Sequence, residues 1–102
     1  MFKDDLLKEK RILVTGGGTG LGKEMATHFA KHGAEIFICG RRENVLEETA
    51  NELKEKYDVK VHYSTLDIRD SKDVDSYVQS IFDTGPLDGL VNNAAGNLYI
   101  SN

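Results

Sequence analysis

The chain is short of the features that mark several large protein classes. It has one cysteine in 102 residues, Cys39, so no internal disulfide can form and nothing points to an oxidising compartment. No apolar run approaches the length of a membrane span. Residues 1–10, MFKDDLLKEK, lack the apolar stretch of a signal peptide. These absences make a cytoplasmic location and no membrane partner the expectation. Positive charge is not in excess either: the formal net charge is −4 and no basic stripe appears, which argues against a nucleic-acid partner. There is no internal repeat and no low-complexity tract. The three histidines, His28, His32 and His62, have no cysteine or aspartate at metal-ligand spacing, so no metal is expected.

What remains is an ordinary globular composition, too apolar for disorder. A chain of this length makes one domain and buries roughly 65% of its unfolded surface. Short apolar runs alternate with helical periodicity along it. Arg11-Ile12-Leu13-Val14 ends at a glycine cluster, as a buried strand does. Leu21, Met25, Phe29 and Ala30 recur at helical spacing up to Gly33, a helix stop. Ile36 to Cys39 is a second buried strand. Leu46, Ala50, Leu53 and Tyr57 mark a second amphipathic helix. Val59 to Leu66 alternates as a third strand, with Val59, Val61 and Tyr63 on one side. Val74, Tyr77, Val78 and Ile81 carry a third helix, with Asp70 or Ser71 as its N-cap. Gly85-Pro86 forms a turn, and Leu87 to Val91 is a fourth apolar strand.

This β-α-β-α-β-α-β alternation predicts an α/β fold: a doubly wound parallel sheet of order 3-2-1-4 with right-handed crossovers. Ligands of such sheets bind at the carboxyl ends of the strands, beside the switch point between strands 1 and 4. Two motifs sit immediately after those two strands. The first is Thr15-Gly16-Gly17-Gly18-Thr19-Gly20-Leu21-Gly22, the second Asn92-Asn93-Ala94-Ala95-Gly96. Gly16, Gly20 and Gly22 let the backbone turn tightly and let a pyrophosphate approach, while the helix N-terminus offers free N–H groups. Their spacing, G-x-x-x-G-x-G, departs from the strict G-x-G-x-x-G fingerprint. A glycine-rich turn that binds nothing is the alternative.

The end of the second strand reads Cys39-Gly40-Arg41-Arg42, with no acid to hold a ribose 2′-hydroxyl. Two guanidiniums suit a 2′-phosphate instead, which favours NADP(H) over NAD(H). Alternatively Arg41 and Arg42 are solvated loop residues, capping or pairing with Glu43 or Glu47. Asp67, followed by Ile68, ends the third strand where a carboxylate could accept from an adenine amino group; a turn or capping aspartate is the other reading. Cys39, in an apolar strand, is expected to be inert core.

Together these residues resemble the short-chain dehydrogenase/reductase family. Thr15 to Gly22 is similar to its T-G-x-x-x-G-x-G, Asn92 to Gly96 to its N-N-A-x-G form, and Asp67 to its adenine-contacting acid. The longer strings Gly16 to Gly22 and Asn92 to Asn97 are most like the 2,4-dienoyl-CoA reductase branch. The resemblance implies a Rossmann-type fold and an NADP(H) site. On the glycine turn that site would use Gly16, Thr19, Gly20, Leu21 and Gly22. Arg41, Arg42, Asp67 and Ile68 would complete its adenosine end, and Asn93, Ala94, Ala95 and Gly96 would flank the ribose. It further implies NADPH-dependent reduction of an enoyl- or dienoyl-CoA thioester, with 3-oxoacyl reductases and sugar-alcohol dehydrogenases sharing the framework.

One part of the family pattern is missing. The family's chemistry uses a tyrosine and a lysine spaced Y-x-x-x-K, and none of Tyr57, Tyr63, Tyr77 or Tyr99 has a lysine four residues on. No catalytic residue carries over. The expectation is that residues 1–102 form the N-terminal, cofactor-binding half of the domain, cut after the fourth strand, and that an acyl-CoA-type substrate enters only if the missing half is supplied. A non-catalytic nucleotide-binding module is the alternative. Ending there would leave the fourth strand as an apolar edge open to self-association.

Overall fold

The computed structural model describes residues 5–93 and 97–100. Five strands and three helices follow in the order β1 (Arg11–Thr15), α1 (Gly20–Lys31), β2 (Glu35–Gly40), α2 (Glu43–Tyr57), β3 (Val61–Thr65), α3 (Ser71–Phe82), β4 (Gly89–Asn92) and β5 (Asn97–Ile100). The sheet order is β3-β2-β1-β4-β5. Strands β1 to β4 are parallel, in the predicted 3-2-1-4 order.

Alternation along the central strands explains why they are apolar on both faces. Ile12 and Val14 of β1 and Ile36 and Ile38 of β2 face one layer, where Ala26 and Ala30 of α1 and Leu46, Ala50 and Leu53 of α2 close over them. Leu13, Phe37 and Cys39 face the other layer, against Ile81 of α3 and Leu87. Val59 and Tyr63 pack beside Val61 on the first layer, as the alternation predicts. Gly33, at φ 96°, stops α1: its N–H donates to the Ala30 carbonyl at 3.0 Å and the Ala34 N–H to that of Phe29 at 3.1 Å, a glycine C-terminal motif. Asp70 is the N-cap of α3, its carboxylate accepting from the Lys72 N–H at 3.0 Å.

The entry to the sheet is tied by Arg11. Its N–H donates to Asp88 Oδ2 at 2.9 Å, and the Asp88 N–H returns a bond to the Arg11 carbonyl at 2.8 Å. The Arg11 guanidinium donates to the Pro86 carbonyl at 3.0 Å and to Thr84 Oγ1 at 2.6 Å, so one side chain holds the turn that delivers β4 beside β1.

Two expectations are corrected. Leu21 does not belong to the buried face of α1: it is exposed, and the buried positions are Gly22, Ala26 and Ala30. Met25 and Phe29, the other predicted positions, pack half-buried against the same cluster as Ala26 and Ala30. Second, the sheet does not end at β4. Asn97–Ile100 runs antiparallel to β4 with Asn92↔Asn97 and Val91↔Leu98 in register, so the expected bare edge of β4 is paired. Four residues are too few for a period to declare itself in the sequence, and this strand was not anticipated.

Candidate functional site

The two motifs meet through Thr15. This residue ends β1 and is buried. Its hydroxyl donates to the Val91 carbonyl at 3.3 Å and accepts from the Asn93 N–H at 3.0 Å. A hydroxyl among aliphatic neighbours at a strand end thus locks the carboxyl ends of β1 and β4 together. Gly16 follows at φ 67°, a left-handed conformation that favours glycine, and a Cβ there would stand 3.2 Å from Asn93 Nδ2 and 3.7 Å from Ile68 Cδ1. The ends of β1, β3 and β4 therefore converge on one glycine.

The remaining turn is shaped by packing on one side and openness on the other. A Cβ on Gly22 would strike the Gly16 carbonyl oxygen, and one on Gly17 would strike Ile38, so both hold the turn against the sheet. The Gly18 carbonyl accepts from the buried Thr49 hydroxyl of α2 at 2.9 Å. Gly20, at φ 55°, has nothing within 4 Å of where a Cβ would lie. Thr19, the N-cap of α1, makes no side-chain cap hydrogen bond, and no acidic residue stands in the first turn. The N-terminal end of α1 thus has neither a side-chain cap nor a negative charge in its first turn to offset its positive dipole end.

Beside this turn lies a pocket of about 140 Å³ lined by Gly16, Gly18, Thr19, Arg41, Arg42 and Ile68, with Cys39, Gly40, Val45 and Leu46. Five predicted site residues from three loops share it. Arg41 and Arg42 are both exposed. Neither forms an ion pair with Glu43 or Glu47; Glu47 accepts instead from the Tyr63 hydroxyl at 3.1 Å. Two guanidiniums and an uncapped helix end around a small pocket suit an anionic ligand. Cys39 is buried and its thiol is pushed up to about 12 by burial, so it stays protonated and unreactive.

Asp67 lies beside the pocket, held by Arg69. Its Oδ1 accepts from the Arg69 N–H at 2.9 Å and from Nε at 3.1 Å, and its Oδ2 accepts from Nη2 at 3.1 Å. The side-chain bonds from Arg69, then its backbone N–H, hold the carboxyl down at about 2, with the Arg41 charge adding to the effect. The predicted turn role of Asp67 is therefore present, and sequence reasoning missed its partner; the i, i+2 spacing of opposite charges was the available signal. Leu21 lies exposed at the mouth of α1. Ala94, Ala95 and Gly96 lie outside the described residues. A larger groove of about 640 Å³ opens at the other ends of the strands, where Glu35 is paired with Arg11 and His62.

Among the described residues, no helix is long and apolar enough to cross a membrane. The parallel order, the switch-point turn and the pocket define a Rossmann-type α/β domain. The short chain dehydrogenase family model matches residues 10–101, and the chain belongs to that family. It is 41% identical over 96 residues to a hydroxysteroid 11-beta-dehydrogenase 1-like protein of Danio rerio, covering 93% of this chain and 33% of the relative. It is 40% identical over 97 residues to a peroxisomal 2,4-dienoyl-CoA reductase of Arabidopsis thaliana, covering 94% and 32%. The chain thus spans about one third of these relatives' lengths. Among solved structures, L-sorbose reductase from Gluconobacter frateurii, complexed with NADPH and L-sorbose, superposes with a TM-score of 0.77 at 35% identity over 83% of this chain and 33% of that one.

Proposed function

We propose that residues 1–102 are the cofactor-binding half of an NADPH-dependent reductase of the short-chain type, acting on an enoyl- or dienoyl-CoA thioester. The observation that carries the cofactor assignment is the pocket that puts Arg41 and Arg42 beside the glycine turn. In this reading the uncapped N-terminus of α1 receives the pyrophosphate, the two guanidiniums take the 2′-phosphate, and Ile68 and Asp67 border the adenine. Gly16 and Asn93 keep the path toward the ribose clear and fixed. The bound dinucleotide supplies the hydride. The thioester assignment is supported by the 2,4-dienoyl-CoA reductases among the relatives and by the likeness of the two glycine-bearing strings to that branch.

The chain's own residues bind and orient; none of its tyrosines has the lysine partner that proton relay needs. A second reading, a nucleotide-binding module without turnover, shares the binding step. Calorimetric titration with NADPH and NADH tests the common part. NADPH should bind more tightly by about tenfold or more, the worth of one or two charge-assisted hydrogen bonds. Equal affinity would remove Arg41 and Arg42 from the site. Adding a dienoyl-CoA with NADPH should give no oxidation by the 102-residue chain; turnover would exclude the module reading.

A further inference from the structure

We propose that Arg69 is a charge-balancing, positioning residue of the adenosine pocket: its forked hold on Asp67 keeps that carboxylate from capturing Arg41, leaving the Arg41 guanidinium for the dinucleotide's 2′-phosphate. The inference rests on the proposed NADPH site and deepens it. Arg41 follows β2 directly and Asp67 lies two residues past the end of β3, and these strands are neighbours with Gly40 opposite Thr65. The Leu66 N–H donates to the Gly40 carbonyl at 2.7 Å, so the pairing of the two strands runs on to the residues next to Asp67 and Arg41. An unneutralised carboxylate at this place would do two things. It would draw Arg41 into an ion pair, and it would repel the phosphate that the pocket is built to accept.

Arg69 prevents both. Oδ1 accepts two hydrogen bonds from Arg69 and Oδ2 accepts one. A carboxylate offers about four acceptor positions, so roughly one remains, on Oδ2. One position suffices for a neutral amino group such as adenine's, and it is too few for a second forked guanidinium. The planar, permanently charged fork is what makes the arrangement work; a lysine would occupy fewer positions and leave room for Arg41. The Arg69 side chain is 68% exposed, so it can be replaced without opening the core.

Adenosine 2′,5′-bisphosphate and adenosine 5′-monophosphate probe this end of the site alone. Their affinities should be measured by calorimetry for the unaltered chain, R69M, D67N and the double variant R69M/D67N. The unaltered chain should prefer the 2′-phosphorylated probe. R69M should lower that preference roughly two- to fivefold, the range of an exposed charge pair, and R69M/D67N should restore it to the D67N level, because no carboxylate is left to capture Arg41. A preference unchanged in R69M, or one that D67N fails to restore, overturns the inference while leaving the NADPH site standing. No preference in the unaltered chain overturns both, so the two failures are told apart by the first titration.

Discussion

Asp67 couples the pocket to pH. Its carboxyl is lowered from an ordinary 3.8 to about 2, first by the hydrogen bonds from the Arg69 side chain. A group whose folded value is depressed contributes stability that is fully present above its unfolded value, and that contribution is lost as pH falls through the folded one. The window is therefore about pH 4 down to about pH 2, and the pair is intact throughout the neutral range. Both partners are solvent-accessible, so the effect on global stability is small and should be read at the residue itself. Carboxyl carbon chemical shifts followed against pH should place the Asp67 midpoint near 2, and R69M should move it upward toward ordinary aspartate. A midpoint near 4 in the unaltered chain would mean that the fork does not persist in solution.

At the scale of elements, the glycine turn is held from behind by α2 as well as from the sides by β1 and β4. Thr49 occupies the apolar stripe Leu46, Ala50, Leu53 at the i+3 place and is buried, yet its hydroxyl donates to the Gly18 carbonyl at 2.9 Å. Thr49→Val keeps the shape and leaves that carbonyl without its partner, at a cost of about 1–3 kcal/mol. Urea unfolding should show a lower midpoint with an unchanged slope, and NADPH affinity should fall with it, because the turn that meets the phosphates loses its rear anchor. Unaltered stability would mean that the turn is held by its glycines alone. The elements themselves could be read from the chain because their signals were local: apolar runs ending at glycines, and helical spacing up to Gly33. The links between elements could not. Thr15 to Asn93 and Thr49 to Gly18 join residues 78 and 31 apart, and a single threonine carries no periodic signal. Arg69 is hard to read for another reason, since its i, i+2 spacing to Asp67 is a weak signal that many solvated loop charges share.

The whole molecule answers a question that the order of strands leaves open, which is how the apolar fourth strand avoids becoming a sticky edge. Strand β4 is paired on one side with β1 and on the other with β5, over Gly89↔Ile100 to Asn92↔Asn97. The antiparallel return needs no crossover helix, so a four-residue strand is enough to satisfy that row of backbone groups. Without it, β4 would present unpaired N–H and C=O groups flanked by Leu90 and Val91, the pattern that recruits another chain. A version ending at residue 96 should therefore self-associate more than the 102-residue chain at equal concentration. Sedimentation velocity at several concentrations checks this, with thioflavin fluorescence reporting whether the associated form is a continued sheet. Identical sedimentation of the two would show that β5 does not protect the edge in solution, and that residues elsewhere, such as the half-exposed Phe82 of α3, set the association behaviour.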